Sequence, residues 1–207
     1  MTADLLSLTQ WLSPAFPLGS FAYSHGLETA VVQGDVRTAS ELERWINDVL
    51  QHGAGRVDAI LLCQSFKGAE VADLACALAA SKERLEESEA QGRAFVETVN
   101  AITGSELAAA PLPVAVGIAL RSLSLGAVEV ASLYLHAFAS NLVSVGVRFI
   151  PLGQTEGQQV LSALHATITD IATAASTAAL DDIASAAFGA DMAAMQHETQ
   201  DVRIFKT

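Results

Sequence analysis

Apolar residues in this chain recur every three to four positions and rarely alternate. Leu42, Trp45, Ile46, Val49 and Leu50 fall at i, i+3, i+4, i+7 and i+8, the apolar stripe of an amphipathic helix. Phe95, Val96, Val99 and Ile102 keep the same spacing, as do Val160, Leu161, Leu164, Ile168 and Ile171. The pattern predicts helices over residues 41–52, 56–66, 71–80, 82–102, 111–123, 126–147, 155–173, 180–187 and 191–198. Ser40 with Glu43, and Thr155 with Gln158, have the spacing of capping boxes, in which two side chains satisfy backbone donors at a helix start. Gly53 and Gly55 then stop the helix that Ser40 opens. Glu83, Glu86, Glu87 and Glu89 cluster where residues 82–102 begin; acidic groups suit the positive end of a helix dipole and read as a solvated face. The fold class is therefore all-α: one domain, a helical bundle of roughly ten helices. Gly104 to Pro113 is the one plausible hinge, and the helices on both sides belong to one bundle. The domain spans residues 1–195, followed by a C-terminal tail, 196–207. That tail is too short and too charged to build its own core, and is expected to stay flexible until a partner binds it.

Two segments interrupt the periodicity. Val130 to Val147 runs for eighteen residues without Lys, Arg, Asp or Glu. It includes Ser132, His136, Ser140, Asn141 and Ser144, so a buried central helix fits better than a membrane span. It ends at Arg148 and the turn Pro151-Leu152-Gly153. Between Ala94 and Val202 the only Lys or Arg residues are Arg121 and Arg148, against ten carboxylates. A cation at such a corner either bonds the carbonyls of its own helix end or offers a contact from a rigid loop. The second segment, Ser13 to Glu28, sets Phe16, Phe21 and Tyr23 among two prolines and two glycines. It reads equally as a structural loop and as a protein-binding surface built on amphipathic rings.

Composition narrows the function. Of 207 residues, 51% are hydrophobic and 16% charged, and the formal charge is −12. Nucleic acid and anionic membrane surfaces need clustered Lys and Arg, which this chain lacks. Cys63 and Cys76 make neither a CxxC pair nor a zinc spacing and read as reduced core thiols. The segment MTADLLSLTQWLS carries Asp4 and no basic residue, unlike a secretory signal, so the cytoplasm is the expected compartment. No phosphate loop, GxSxG elbow or HExxH pair occurs. Met192, Met195 and His197 could offer soft metal ligands, though packing is the simpler account. Ser24 and His25 are adjacent, which does not make a nucleophile–base pair. His136 and His165 read as hydrogen-bonded core or rim residues. These absences predict a protein that is not an enzyme.

Three motifs, in order, carry a family resemblance. SPAFPLGSFAYSHGLE, GVRFIPLGQTEGQQ and HETQDVRIFKT resemble the UreF family of urease accessory proteins over nearly the whole chain. ELERWINDVL, an acidic stretch running into QGRAF, and PVAVGIAL also resemble it. The resemblance implies an all-helical homodimer. It further implies a scaffold bridging the nickel-carrying GTPase UreG and the accessory protein UreD/UreH, for GTP-dependent insertion of Ni2+ into apo-urease. No cofactor is expected on this chain itself; the complex handles the nickel. Residue by residue, the resemblance places Tyr23, Ser24, His25, Glu28, Arg148, Gln154 and Gln158 toward the GTPase. It places His197, Glu198, Arg203 and Phe205 in the tail that meets UreD/UreH. Ser20, Ala22, Asp201, Val202, Lys206 and Thr207 depart from the usual family residues. The alternative expectation is a GTPase activator of UreG, with Arg148 as an arginine finger.

Overall fold

The structure is a computed structural model that describes residues 3–206, so Met1, Thr2 and the final tail residue Thr207 lie outside it. Among the described residues there are eleven α-helices and no strand. They are α1 (Ala3–Trp11), α2 (Leu27–Gln33), α3 (Ala39–His52), α4 (Ala54–Phe66), α5 (Ala72–Ala77) and α6 (Lys82–Thr103). α7 (Leu112–Ala119), α8 (Ala127–Phe149), α9 (Gln154–Ala163), α10 (His165–Thr177) and α11 (Phe188–His197) complete the set. This is the expected all-α single domain.

Periodicity located the core. Leu42, Ile46, Val49 and Leu50 of α3 are buried, as are Phe95, Val96 and Val99 of α6. In α4 the run Ala59 to Cys63 is buried on every side, which makes α4 a central helix around which α3, α7, α8 and α10 pack. α7 crosses α4 at Gly117, where any Cβ would stand 2.5 Å from the Leu62 carbonyl oxygen. Only glycine lets the two backbones approach so closely. The long apolar segment is α8. It is long and apolar enough to cross a membrane, yet here it lies in the bundle against α3, α4, α9 and α10.

Several boundaries differ from the sequence reading, each for a local reason. The α3 cap lies two residues earlier than Ser40: the Thr38 hydroxyl accepts from Glu41 N at 3.3 Å, and Glu41 accepts from Arg37 N at 2.9 Å. Gly53 alone separates α3 from α4, and Gly55 lies inside α4. At α9 the capping side chain is Glu156, which accepts from Gly153 N at 2.8 Å; Thr155 and Gln158 fall within the helix. The single helix expected over 155–173 is divided at Leu164, although its apolar residues still face one core. Of the helix expected over 180–187 only a short turn at Leu180–Asp182 forms. Beyond it the chain runs across the end of α3, and the amides of Ala186 and Ala187 donate to the His52 carbonyl at 2.7 and 3.1 Å. Those bonds satisfy a carbonyl that a helix end leaves open.

Candidate partner-docking site

The tail is held against the bundle. α11 ends at His197, which is fully buried, with each ring nitrogen facing a carboxylate. Nδ1 is 2.7 Å from Glu83 in the first turn of α6, and Nε2 is 3.1 Å from Glu28 in the first turn of α2. Both carboxylates also sit at the positive end of a helix dipole. Past His197, Glu198 accepts from Lys82 N at 2.9 Å. Arg203 donates to Glu83 at 2.7 Å. The chain then returns to Glu28, which accepts from the amides of Ile204 and Phe205, each at 2.9 Å. Lys206 N donates to the Ala22 carbonyl at 2.7 Å. Glu28 therefore takes three donors in a pocket closed to water, and hydrogen bonds to a charged group are the strong ones.

Apolar contact completes the clasp. The buried Phe205 ring packs on Phe149 with ring centres 5.2 Å apart, and the Arg148 guanidinium lies 5.5 Å from its centre. Arg148 also donates to the Phe21 carbonyl at 3.4 Å and to Ser144 Oγ at 3.2 Å. It ties the end of α8 to the first motif and the tail together, instead of bonding its own helix's carbonyls. Gly26 lets α11 approach: its φ is 75°, and a Cβ there would meet Ala194 N at 2.7 Å.

A second polar group lies deeper. His25 Nε2 is 3.1 Å from Glu87, which pairs with Arg84 at 3.2 Å. Arg84 reaches Asp58 at 2.6 Å, and Asp58 accepts from the Tyr134 hydroxyl at 2.7 Å. This chain of charges links the first motif to α6, α4 and α8. Burial alone would lower the Arg84 pKa, but Asp58 and Glu87 together raise it above the usual guanidinium value. Burial likewise opposes ionisation of Glu87, and His25 and Arg84 outweigh it, leaving its pKa below 4.5. Tyr134 is pushed well above its ordinary value by burial and by Asp58. A cavity of ≈ 420 Å³ opens beside this network, lined by His25 and Glu87 and by Phe21, Arg148, Gln154 and Gln158.

The two groups of residues that the sequence assigned to separate faces thus form one contiguous unit. Glu28 holds His197 and Phe205, Arg148 covers Phe205, and Glu198 and Arg203 brace α6. The lysine of the tail, Lys206, stands 5.8 Å over the Tyr23 ring. Tyr23, Ser24, His25 and Glu28, expected in an exposed motif, are buried. Arg148, Gln154 and Gln158 are exposed. Met192 and Met195 face outward while His197 faces inward, so these three do not share a ligand position. The solvated reading of the acidic start of α6 holds for Glu86 and Glu89 and fails for Glu83 and Glu87, which are buried. The apolar stripe of α6, continued backward from Phe95 in helical steps, passes through Gln91, Ser88 and Arg84. That signal was present in the sequence and pointed inward.

With this geometry in place, the comparisons decide the family. Residues 36–165 match the UreF family model. A Cereibacter sphaeroides protein named urease accessory protein UreF is 60% identical over 210 aligned residues, covering 100% of both chains. This chain belongs to the UreF family. A UreF of a Jannaschia species is 48% identical, across 100% of this chain and 96% of its own length. That of Rhodopseudomonas palustris is 44% identical, across 100% of this chain and 93% of its own. The UreF model itself covers neither the first motif nor the tail, so the clasp rests on the geometry.

Proposed function

We propose that this UreF-family protein is a scaffold, without catalytic activity of its own, that joins UreG to UreD/UreH during GTP-dependent delivery of Ni2+ to apo-urease. It acts as a homodimer in the cytoplasm, away from nucleic acid and membrane. One observation supports this reading above the others: the first motif, the α8 corner and the tail are locked into one unit whose outer surface is apolar. Phe21 is 64% exposed beside Arg148, and Val202 and Ile204 are 76% and 73% exposed on the tail. Phe188, Met192 and Met195, at i, i+4 and i+7 along α11, are exposed as well. Exposed apolar groups rimmed by polar ones mark protein contacts. Two such faces, one around Phe21, Arg148, Gln154 and Gln158 and one along α11 and the tail, suit two partners. Arg148 favours the scaffold over the activator because its guanidinium is already engaged with Phe21, Ser144 and Phe205.

Co-purification tests the reading. Phe21→Ala with Gln158→Ala is expected to weaken capture of UreG by about 2 kcal/mol or more, the scale of an interface hot spot, and to spare UreD/UreH. Met192→Glu with Phe188→Glu is expected to do the reverse. Equal retention of both partners by both variants refutes the two-faced scaffold. A large acceleration of single-turnover GTP hydrolysis that Arg148→Lys abolishes would establish the activator instead.

A further inference from the structure

His136 of α8 and His165 at the start of α10 face each other across the seam between those helices. Their ring centres are 5.6 Å apart and the planes are tilted by 44°. Expected to be hydrogen-bonded core or rim residues, they are rim residues: His165 is exposed and His136 half-buried. Among the described residues, neither imidazole makes a hydrogen bond to the chain. α8 and α10 pack closely along this seam, and Leu135, Ala139, Ile168 and Ala172 of the two helices are buried in one core.

We propose that His136 and His165 form a two-imidazole site for a borderline divalent transition-metal ion, Ni2+, Cu2+ or Zn2+. An ion about 2.0–2.1 Å from one nitrogen of each ring leaves the ring centres roughly 5–6 Å apart, which matches the observed pair. Imidazole nitrogen is the donor these metals prefer over hard cations such as Mg2+ or Ca2+. The formal charge of −12 draws cations to the chain. Among the described residues no three His, Cys, Asp or Glu side chains converge on one point, so water fills the remaining positions. Two protein ligands make a site that exchanges its ion readily. It lies about 18 Å along α8 from Arg148, twelve residues at the helical rise, and stands or falls independently of the docking role.

Equilibrium dialysis of the full chain against NiCl2 and CuCl2, with no partner present, tests the site. Wild type is expected to hold one ion at this position, Cu2+ more tightly than Ni2+. His136→Gln and His165→Gln, singly and together, are expected to weaken that equivalent at least tenfold. His52→Gln serves as the control and leaves it unchanged. Bound Cu2+ is expected to show electron-spin coupling to two imidazole nitrogens in wild type and to one in either single variant. Independently of any variant, Ni2+ is expected to slow diethylpyrocarbonate modification of His136 and His165, read by mass spectrometry. Unchanged stoichiometry and affinity in the double variant, or unchanged modification with Ni2+ present, overturns the proposal.

Discussion

Glu28→Gln isolates the clasp. The substitution keeps the volume but removes the charge that faces His197 and the amides of Ile204 and Phe205. The amide oxygen of Gln can still accept, whereas its NH2 group meets donors. Each hydrogen bond to a charged acceptor contributes about 1.5–3 kcal/mol. Breaking a buried ionic contact costs about 3–5 kcal/mol at most, and His197 still keeps Glu83 at 2.7 Å. Retaining one acceptor argues for the lower part of that range. Tail docking is then weakened by roughly 3–4 kcal/mol, or a factor of about 10²–10³ at 1.4 kcal/mol per decade. Amide hydrogen exchange reads this directly. In wild type the Ile204, Phe205 and Lys206 amides are expected to be protected; in Glu28→Gln they exchange faster by that factor. The amides of α4 keep wild-type protection, because the clasp is made to α2, to the start of α6 and to the end of α8. Phe205→Ala is the companion variant: it frees the same three amides without leaving a charge unpaired. Unchanged protection of Ile204 and Phe205 refutes the clasp. Loss of protection throughout the bundle would show that Glu28 belongs to the global core instead.

Gly26→Ala is expected to release α11 and the tail together, because it combines strain at φ 75° with a 2.7 Å approach to Ala194 N; limited proteolysis at residues 196–206 checks it. Arg84→Met, which leaves Asp58 and Glu87 buried without their cation, is expected to cost about 3–5 kcal/mol in urea unfolding. Arg84→Met combined with Asp58→Asn and Glu87→Gln is expected to recover part of that loss, and no recovery would contradict the network. Glu87 has a lowered folded pKa, so its stabilising contribution is complete above the ordinary value of 4.5 and is lost as pH falls through that value and then the folded one. The urea midpoint is therefore expected to fall on acidification below about pH 4.5, and less steeply in Glu87→Gln; parallel curves would remove Glu87 from the pH dependence.

Much of the bundle was legible because helical burial leaves a periodic trace. The stripes of α3, α6 and α10 predicted most of their buried faces, with Trp45 only half-buried and Ile102 exposed at the end of α6, and the charge-free segment marked α8 as part of the core. Caps were less legible. Ser40 and Thr155 had acceptable spacing, but Thr38–Glu41 and the Glu156 side chain satisfied the same donors, and one sequence permits both arrangements. The break at Leu164 was invisible, since both halves of the helix bury the same face. Charged residues misled for a different reason. Glu83 and Glu87 look like a solvated helix start until Arg84, Asp58, His25 and His197, distant in sequence, are brought beside them. The family motifs contain most residues of the clasp but give no sign of their grouping: nothing local says that Glu28 touches Phe205.

The buried charges also bear on why the docking unit is placed where it is. A core of Leu, Val and Ala packs acceptably in several helix registers, whereas a salt bridge with defined geometry fits one. His25, Glu87, Arg84, Asp58 and Tyr134 join the first motif to three helices by directional bonds, so the motif cannot slide relative to α6 without leaving a charge unpaired. Glu28 lies in the first turn of α2, three residues after His25, and thus inherits that register. The tail is fastened to Glu28, and Arg148 reaches both. Each outward group is therefore positioned by an inward one: Phe21 by the turn before His25, Ile204 by Glu28, and Arg148 by α8. A protein that works by presenting surfaces needs those surfaces in fixed relation before a partner arrives, because ordering them during association subtracts from affinity. The polar network supplies that fixity at the one place where an alanine-rich bundle would otherwise lack it.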